Sequence, residues 1–284
     1  MRSAKGGRPW LSIAISVPLC LLVISTSSWA SAHSESATVA PGSQYVAMGS
    51  SYAAGFGIQP QVPGAGSCGR SELDYPHVVA ARLHLDLNDV SCGGAVTANA
   101  LDTPQDSAPP QIDAVTAKTR LVTMTIGGND VNYVGTAIEC GQPNSTCVAT
   151  ANPAQTEAAF QALPHSLTDL IQAVRAKAPS AVIVLVTYVR LVPPTACPAL
   201  HYTPASTRLV ASMGARLERV FVAVAKADHV RIVDPYAIGA EHGPCAKGAN
   251  KWVAGLIATN GFEYHPTVAG HQEMAHLVET ELGS

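Results

Sequence analysis

The chain has 284 residues, of which 47% are hydrophobic and only 13% charged, with 23 glycines and 20 prolines. That balance excludes a disordered chain and describes a compact, loop-rich one. A formal charge of -3 provides no broad basic surface, so nucleic acid is not an expected partner.

The first residues have the layout of an export signal. Arg2, Lys5 and Arg8 precede an apolar stretch from Trp10 to Ile24, and Ala30-Ser31-Ala32 supplies small residues for cleavage. Residues 1–32 are therefore expected to leave as a signal peptide, followed by a short flexible segment, 33–43, and a single domain, 44–284. The apolar stretch falls short of the roughly 20 residues of a membrane span; an uncleaved anchor is the alternative. Cys20 departs with the leader. Cys68, Cys92, Cys140, Cys147, Cys197 and Cys245 remain, an even set in an exported chain, which reads as three disulfides. Spacing alone leaves their pairing open; partners in chain order are favoured because Cys140 and Cys147 can close a small loop. The cysteines lack the close paired spacing of a structural zinc site.

Short apolar runs at Tyr45–Met48, Leu85–Val90, Leu121–Ile126, Ala181–Thr187 and Val230–Val233 predict five strands separated by connections long enough for helices. Phe160, Leu163, Leu167, Leu170, Ile171 and Val174 recur at helical spacing, with Pro164 read as a local break or early-turn residue. Thr203-Pro204 opens a second helix carrying Leu209, Met213, Leu217, Val220, Phe221 and Val224. Strand-helix alternation predicts an α/β domain, a three-layer α/β/α sandwich on a parallel sheet. Loops leaving the carboxyl ends of such strands converge on one rim.

Four segments on that rim carry chemistry. Gly49-Ser50-Ser51-Tyr52-Ala53-Ala54-Gly55 follows the first strand, so a serine hydroxyl can face the crevice while a helix start directs N–H groups towards developing charge. Ser91-Cys92-Gly93-Gly94 can present a glycine N–H, or simply turn around a disulfide. Gly127-Gly128-Asn129-Asp130 brings an uncharged amide donor, with Asp130 expected to cap the next backbone turn. His265, before Pro266 and a C-terminal helix, can take a serine proton near neutral pH. His271 and His276 read as helix-face residues.

These four blocks, in this order, resemble the SGNH hydrolase family, the GDSL-like lipases and esterases, in particular its secreted actinobacterial branch with three disulfides. The likeness runs from Tyr45 through His276. It implies a five-stranded flavodoxin-like hydrolase fold, Ser51 as nucleophile, His265 as base, and an oxyanion hole of Ser51, Gly94 and Asn129. It also implies the pairs Cys68–Cys92, Cys140–Cys147 and Cys197–Cys245, and no cofactor or metal.

Two positions depart from the family pattern. Ser50 stands where the family has aspartate before the nucleophile, a residue supporting the turn. Phe262 stands where an acidic partner precedes the histidine by three residues. The Phe262 backbone carbonyl is then the expected group orienting His265, with the Glu263 carboxylate as the alternative; a carbonyl fixes the imidazole tautomer but supports imidazolium less than a carboxylate. Tyr52, Phe56, Ile58, Val189 and Leu191 are candidates to line an acyl groove or to pack the loops.

The expected function is that of a secreted esterase or lipase acting on a short- or medium-chain carboxylic ester through an acyl-enzyme, as a monomer, extracellularly or at the cell envelope. A phospholipase or acyltransferase is the enzymatic rival. The rival from another class is a non-catalytic carbohydrate- or envelope-binding protein, in which Ser50 and Phe262 mark lost chemistry. Asn144-Ser145-Thr146 is a glycosylation sequon usable only by a host with that machinery.

Overall fold

The computed structural model describes Met1, Gly6, Gly7, residues 39–193 and residues 197–283. The expected signal peptide and cleavage site, Cys20, and residues 33–38 of the expected flexible segment lie outside the described residues, apart from Met1, Gly6 and Gly7. The end of that segment is tied to the domain: Val39 packs against the core, and the Gly42 N–H donates to the His84 carbonyl at 2.7 Å.

Five strands, β1 (Gln44–Gly49), β2 (Asp86–Asp89), β3 (Thr119–Thr125), β4 (Val182–Val186) and β5 (Arg231–Val233), form one parallel sheet in the order β2-β1-β3-β4-β5. The register sets Met48 of β1 beside Met124 of β3, and Leu121 beside Val182 of β4. β4 is buried along its whole length and β3 nearly so, because helices cover both faces; the edge strand β2 alternates exposed and half-buried positions.

The helices are α1 (Ser51–Ala54), α2 (Tyr75–Leu83), α3 (Thr97–Leu101), α4 (Tyr133–Gly141), α5 (Cys147–Thr150), α6 (Pro153–Lys177), α7 (Pro204–Ala227), α8 (Pro235–Ile238) and α9 (Val268–Leu282). α2 packs with α9, and α6 with α7, which gives the three-layer sandwich. Among the described residues no helix is long and apolar enough to cross a membrane.

Local chemistry explains the two long helices. Asn152 caps α6 by accepting the Gln155 N–H at 3.1 Å, and Pro153 occupies the first turn, where its missing N–H costs nothing. Thr203 and Ser206 form a reciprocal capping box at the start of α7. Pro164 corrects the expectation of a break, since it lies inside the 25-residue α6. An interior proline costs a helix about 3 kcal/mol. Phe160, Leu163, Leu167, Leu170, Ile171 and Val174 are all buried on either side of it, each stabilising the helix by about 1.5–3 kcal/mol, so packing outweighs the lost hydrogen bond.

The order of strands reverses at β1, whose successor β2 lies on one side and β3 on the other. The loops leaving β1 and β3 therefore diverge and open a crevice at their carboxyl ends. Ser51 follows β1 and Asn129 follows β3, so the topology sets both on its rim.

Candidate active site

The turn that carries Ser51 begins where β1 stops. Gly49 has φ +149°, and a Cβ there would lie 2.6 Å from the Thr125 carbonyl oxygen, so only glycine lets the strand bend this close to β3. The Gln111 side chain clamps the same residue, accepting the Gly49 N–H at 2.7 Å and donating to its carbonyl at 2.9 Å. Ser50 is buried in the turn. Its hydroxyl meets the Tyr188 hydroxyl at 3.1 Å, and that tyrosine accepts the Gly128 N–H at 2.9 Å. Where aspartate was expected, a serine–tyrosine pair thus joins the loop after β1 to the loop after β3.

Ser51 opens α1, and His265 comes from the loop before α9. Their side chains meet, with Ser51 Oγ 2.7 Å from His265 Nε2; both residues are buried, Ser51 at 8% and His265 at 5% exposure. His265 Nδ1 lies 2.7 Å from the Glu263 backbone carbonyl. A carbonyl can only accept, so Nδ1 carries the proton and Nε2 offers its lone pair to the serine hydroxyl.

This corrects both expectations for the orienting group. The acceptor is neither the Phe262 carbonyl nor the Glu263 carboxylate but the Glu263 main-chain oxygen. The Phe262 carbonyl instead accepts the His265 backbone N–H at 3.2 Å. The cause lies in Tyr264, whose φ of +54° turns the chain back so that the preceding carbonyl passes under the imidazole. Tyr264 is fully buried, its hydroxyl donates to the Leu200 carbonyl at 3.2 Å, and its own carbonyl accepts the Tyr52 hydroxyl. Tyr52, the residue after Ser51, thereby ties the loop that carries His265 to α1. Phe262 packs edge-on against the His265 ring at 5.2 Å.

Burial pushes His265 down to about 4, partly opposed by the Glu263 carbonyl. At neutral pH the imidazole is therefore uncharged and able to accept a proton.

The donors face the same cleft. Gly94 has φ +80°, a conformation glycine adopts without strain, and its neighbour Gly93 is fixed from both sides: its N–H donates to the Cys68 carbonyl at 2.9 Å and its carbonyl accepts from Gln105 Nε2 at 2.7 Å. The Ser51 and Gly94 N–H groups have no acceptor among the described residues. Asn129 spends one amide hydrogen on the Ala95 carbonyl at 2.9 Å, which aligns the group and leaves the second hydrogen free. Asp130 does not cap its own turn, as expected from sequence, but accepts the Thr97 N–H at 3.1 Å and so caps α3, thirty-three residues away.

Ser51, Phe56, Gly94, Asn129, Phe262 and His265 line a cleft of about 220 Å³ that also includes Val134 and Ile138. Of the five candidates for an acyl groove only Phe56 lines it; Tyr52, Ile58, Val189 and Leu191 are buried in loop packing. His271 is a buried tether, its Nδ1 accepting the Tyr75 N–H at 3.1 Å, and His276 is an exposed helix residue. Disulfides join Cys68 to Cys92, Cys140 to Cys147 and Cys197 to Cys245. The first of them pins the turn that presents Gly94. Among the described residues the one grouping of metal-capable side chains, Asp74, His77 and Asp89, lies outside the cleft lining.

Sequence reasoning missed Gln111, Gln105, Tyr188 and Tyr264 as supports of the site. Tyr188 follows β4 and so lies on the expected rim, which is a usable signal; the two glutamines carry none, since their partners are glycine backbone groups, which no motif marks.

Comparison with known proteins identifies the relatives of this chain. Residues 47–273 match the model of the GDSL-like Lipase/Acylhydrolase family. Lipase 2 of Streptomyces coelicolor is 30% identical over 268 residues, covering 89% of this chain and 90% of that protein. The crystal structure of an extracellular lipase from Streptomyces rimosus superposes with a TM-score of 0.72 at 28% identity, covering 84% of this chain and 99% of that one. A phospholipase A1 from Streptomyces albidoflavus gives a TM-score of 0.71 at 28% identity with the same coverage. The chain belongs to the GDSL-like lipase/acylhydrolase family, as a serine-type carboxylic ester hydrolase.

Proposed function

We propose that the chain acts as an exported, monomeric enzyme that hydrolyses short- or medium-chain carboxylic esters through an acyl-enzyme on Ser51. His265 Nε2 takes the hydroxyl proton as Ser51 Oγ bonds to the acyl carbon, and the carbonyl electron pair moves onto oxygen. The Ser51 and Gly94 N–H groups and the free Asn129 amide hydrogen receive that charge. Collapse breaks the ester C–O bond, and His265 returns its proton to the departing alcohol. Water then repeats the sequence: its proton passes to His265, its oxygen bonds to the acyl carbon, and His265 returns that proton to Ser51 Oγ as the C–O bond to it breaks and the acid leaves. The Glu263 carbonyl holds Nδ1–H throughout.

The observation that carries this reading is the 2.7 Å contact between Ser51 Oγ and His265 Nε2 beside two unspent backbone donors. The size of the cleft, about 220 Å³, and its apolar wall of Phe56, Val134, Ile138 and Phe262 favour a short acyl chain. Similarity to a phospholipase A1 makes aggregated phospholipid the second substrate to test. Export rests on the expected 1–32 leader and on the three disulfides, which suit an oxidising compartment at the cell envelope or beyond it.

The test combines fluorophosphonate labelling and peptide mapping with turnover of an ester chain-length series that includes phospholipid vesicles. Label on the Ser51 peptide and a maximum among short chains are expected. Label elsewhere, with full turnover by Ser51→Ala, rejects the assignment; a preference for vesicles replaces the substrate class while retaining the mechanism.

A further inference from the structure

Asp74, His77 and Asp89 form a cluster that ester hydrolysis does not use. Asp74 caps α2, its Oδ1 accepting the His77 N–H at 2.8 Å. Asp89 ends β2, and its Oδ1 accepts the Ser91 N–H at 2.9 Å and the Ser91 hydroxyl at 2.7 Å. Each carboxylate thus commits one oxygen to holding the backbone.

The other oxygens differ. Asp74 Oδ2 and Asp89 Oδ2 are buried, and among the described residues no donor group reaches either of them, the two carboxyl groups lying close enough to share a proton when no cation is bound. The Asp74 side chain is fully enclosed and that of Asp89 is 4% exposed. His77 Nδ1 lies 4.0 Å from Asp89 Oδ2 and 2.7 Å from Asp74 Oδ1, and one ligand atom from each of the three residues falls within 4.8 Å of the others. An enclosed carboxylate oxygen with nothing to accept from is costly, and two carboxylates from different elements beside one imidazole make a donor set. Arg70 is the neighbouring cation, but its Nη1 donates to the Ser91 carbonyl at 3.0 Å, and Glu72 adds negative charge on the His77 side.

We propose that Asp74, His77 and Asp89 bind a divalent cation of the zinc class, through one oxygen of each carboxylate and His77 Nδ1. Three protein ligands of mixed oxygen and nitrogen type, with water in the fourth position, suit zinc; calcium takes six to eight oxygens. The His77 side chain is 27% exposed, which leaves a route for the ion and its water. Tetrahedral zinc holds its ligand atoms roughly 3.4 Å apart, so rotation of the His77 ring closes the remaining gap. The imidazole proton shifts to Nε2 as Nδ1 takes the metal, and Asp74 Oδ1 keeps the His77 backbone N–H.

The ion would stabilise rather than react. Asp89 holds Ser91, which begins the turn presenting Gly94, and Asp74 abuts Gly55 at the end of the nucleophile helix, where an added Cβ would lie 2.9 Å from Asp74 Cβ. A bound cation therefore ties α2 to two segments of the site from behind.

The experiment is zinc calorimetry and thermal unfolding on the whole, chelator-stripped protein. Uptake of one zinc per chain is expected, with the unfolding temperature rising by about 5 °C at roughly a hundredfold excess over the dissociation constant. Both effects should disappear in His77→Ala, which keeps the backbone cap intact, and in Asp89→Asn; His265→Ala should retain them, separating this site from zinc captured by the catalytic imidazole. Absence of uptake, or undiminished uptake in His77→Ala, overturns the proposal. So does a pair that shares a proton instead, recognised by an unfolding temperature that ignores zinc and rises on mild acidification.

Discussion

The nucleophile turn and the histidine loop bring equal shares of the chemistry to the cleft but are held in unequal ways. Gly49 and Ser50 are bound by Gln111, by the Thr125 carbonyl and by Tyr188, all of them in or against the body of the sheet. The loop before α9 is joined internally, Ala254 N–H to the His265 carbonyl and Tyr264 N–H to the Gly255 carbonyl, and reaches the nucleophile helix through the Tyr52 hydroxyl. The Ser51 turn is thus braced by the sheet, whereas the loop that carries His265 is held by bonds to other loops, Tyr264 to the Leu200 carbonyl and Asn260 to the Gln59 N–H, and to α1 by the Tyr52 hydroxyl. A proton relay tolerates misplacement poorly, so the tether acts as a positioning device.

Substitutions can test that contrast in order of expected effect. Ser51→Ala and His265→Ala should each reduce kcat by about a millionfold, and the double variant scarcely further, since the two act as one unit; additive losses in a steady-state assay would break the pairing. Asn129→Ala should cost roughly a hundredfold to a thousandfold in kcat with little change in KM, the signature of a donor used in the transition state.

Tyr52→Phe sharpens the comparison most directly. It removes the hydroxyl from the Tyr264 carbonyl while keeping the ring against His265, and should lower kcat about tenfold at unchanged KM. Gln111→Leu, which removes the clamp on Gly49, should instead lower the unfolding temperature, because it leaves the buried Gly49 N–H and carbonyl without that partner. If Tyr52→Phe proved to be a stability variant with intact kcat, the histidine loop would need no tether.

The acid side of the pH profile offers a further test. With His265 held down to about 4, against an ordinary 6.5, the acid limb of kcat/KM should lie below 6.5. The same depression has a stability sign: between about 6.5 and about 4 the unfolded chain binds a proton that the folded chain refuses. Stability from this group is therefore complete above the unfolded value and declines as pH falls through that window. His271, pushed down to about 3 by burial, adds to the decline in the same direction. The smallest effect is expected for Glu263→Gln, under about threefold in kcat, because the oxygen on His265 belongs to the backbone; a loss near ten-thousandfold would restore the carboxylate to the site.

The sequence by itself determined the elements and offered the candidates for the reaction. Apolar runs and helical spacing locate every strand to within a residue or two and identify the buried face of α6, because those patterns are local consequences of covering a sheet on both sides. The motif blocks named Ser51, Gly94, Asn129 and His265, since chemistry restricts the residue types that can serve. Tertiary structure decided what depends on contacts across the chain or on the sign of one φ angle. Pro164 stays helical because six buried neighbours outweigh its missing hydrogen bond, and Asp130 caps a helix thirty-three residues away because the loop after β3 meets the start of α3. The orienting carbonyl belongs to Glu263 because Tyr264 turns left-handed beneath the Tyr52 hydroxyl. No run of residues encodes these outcomes locally; each follows from which groups burial brings within hydrogen-bond reach.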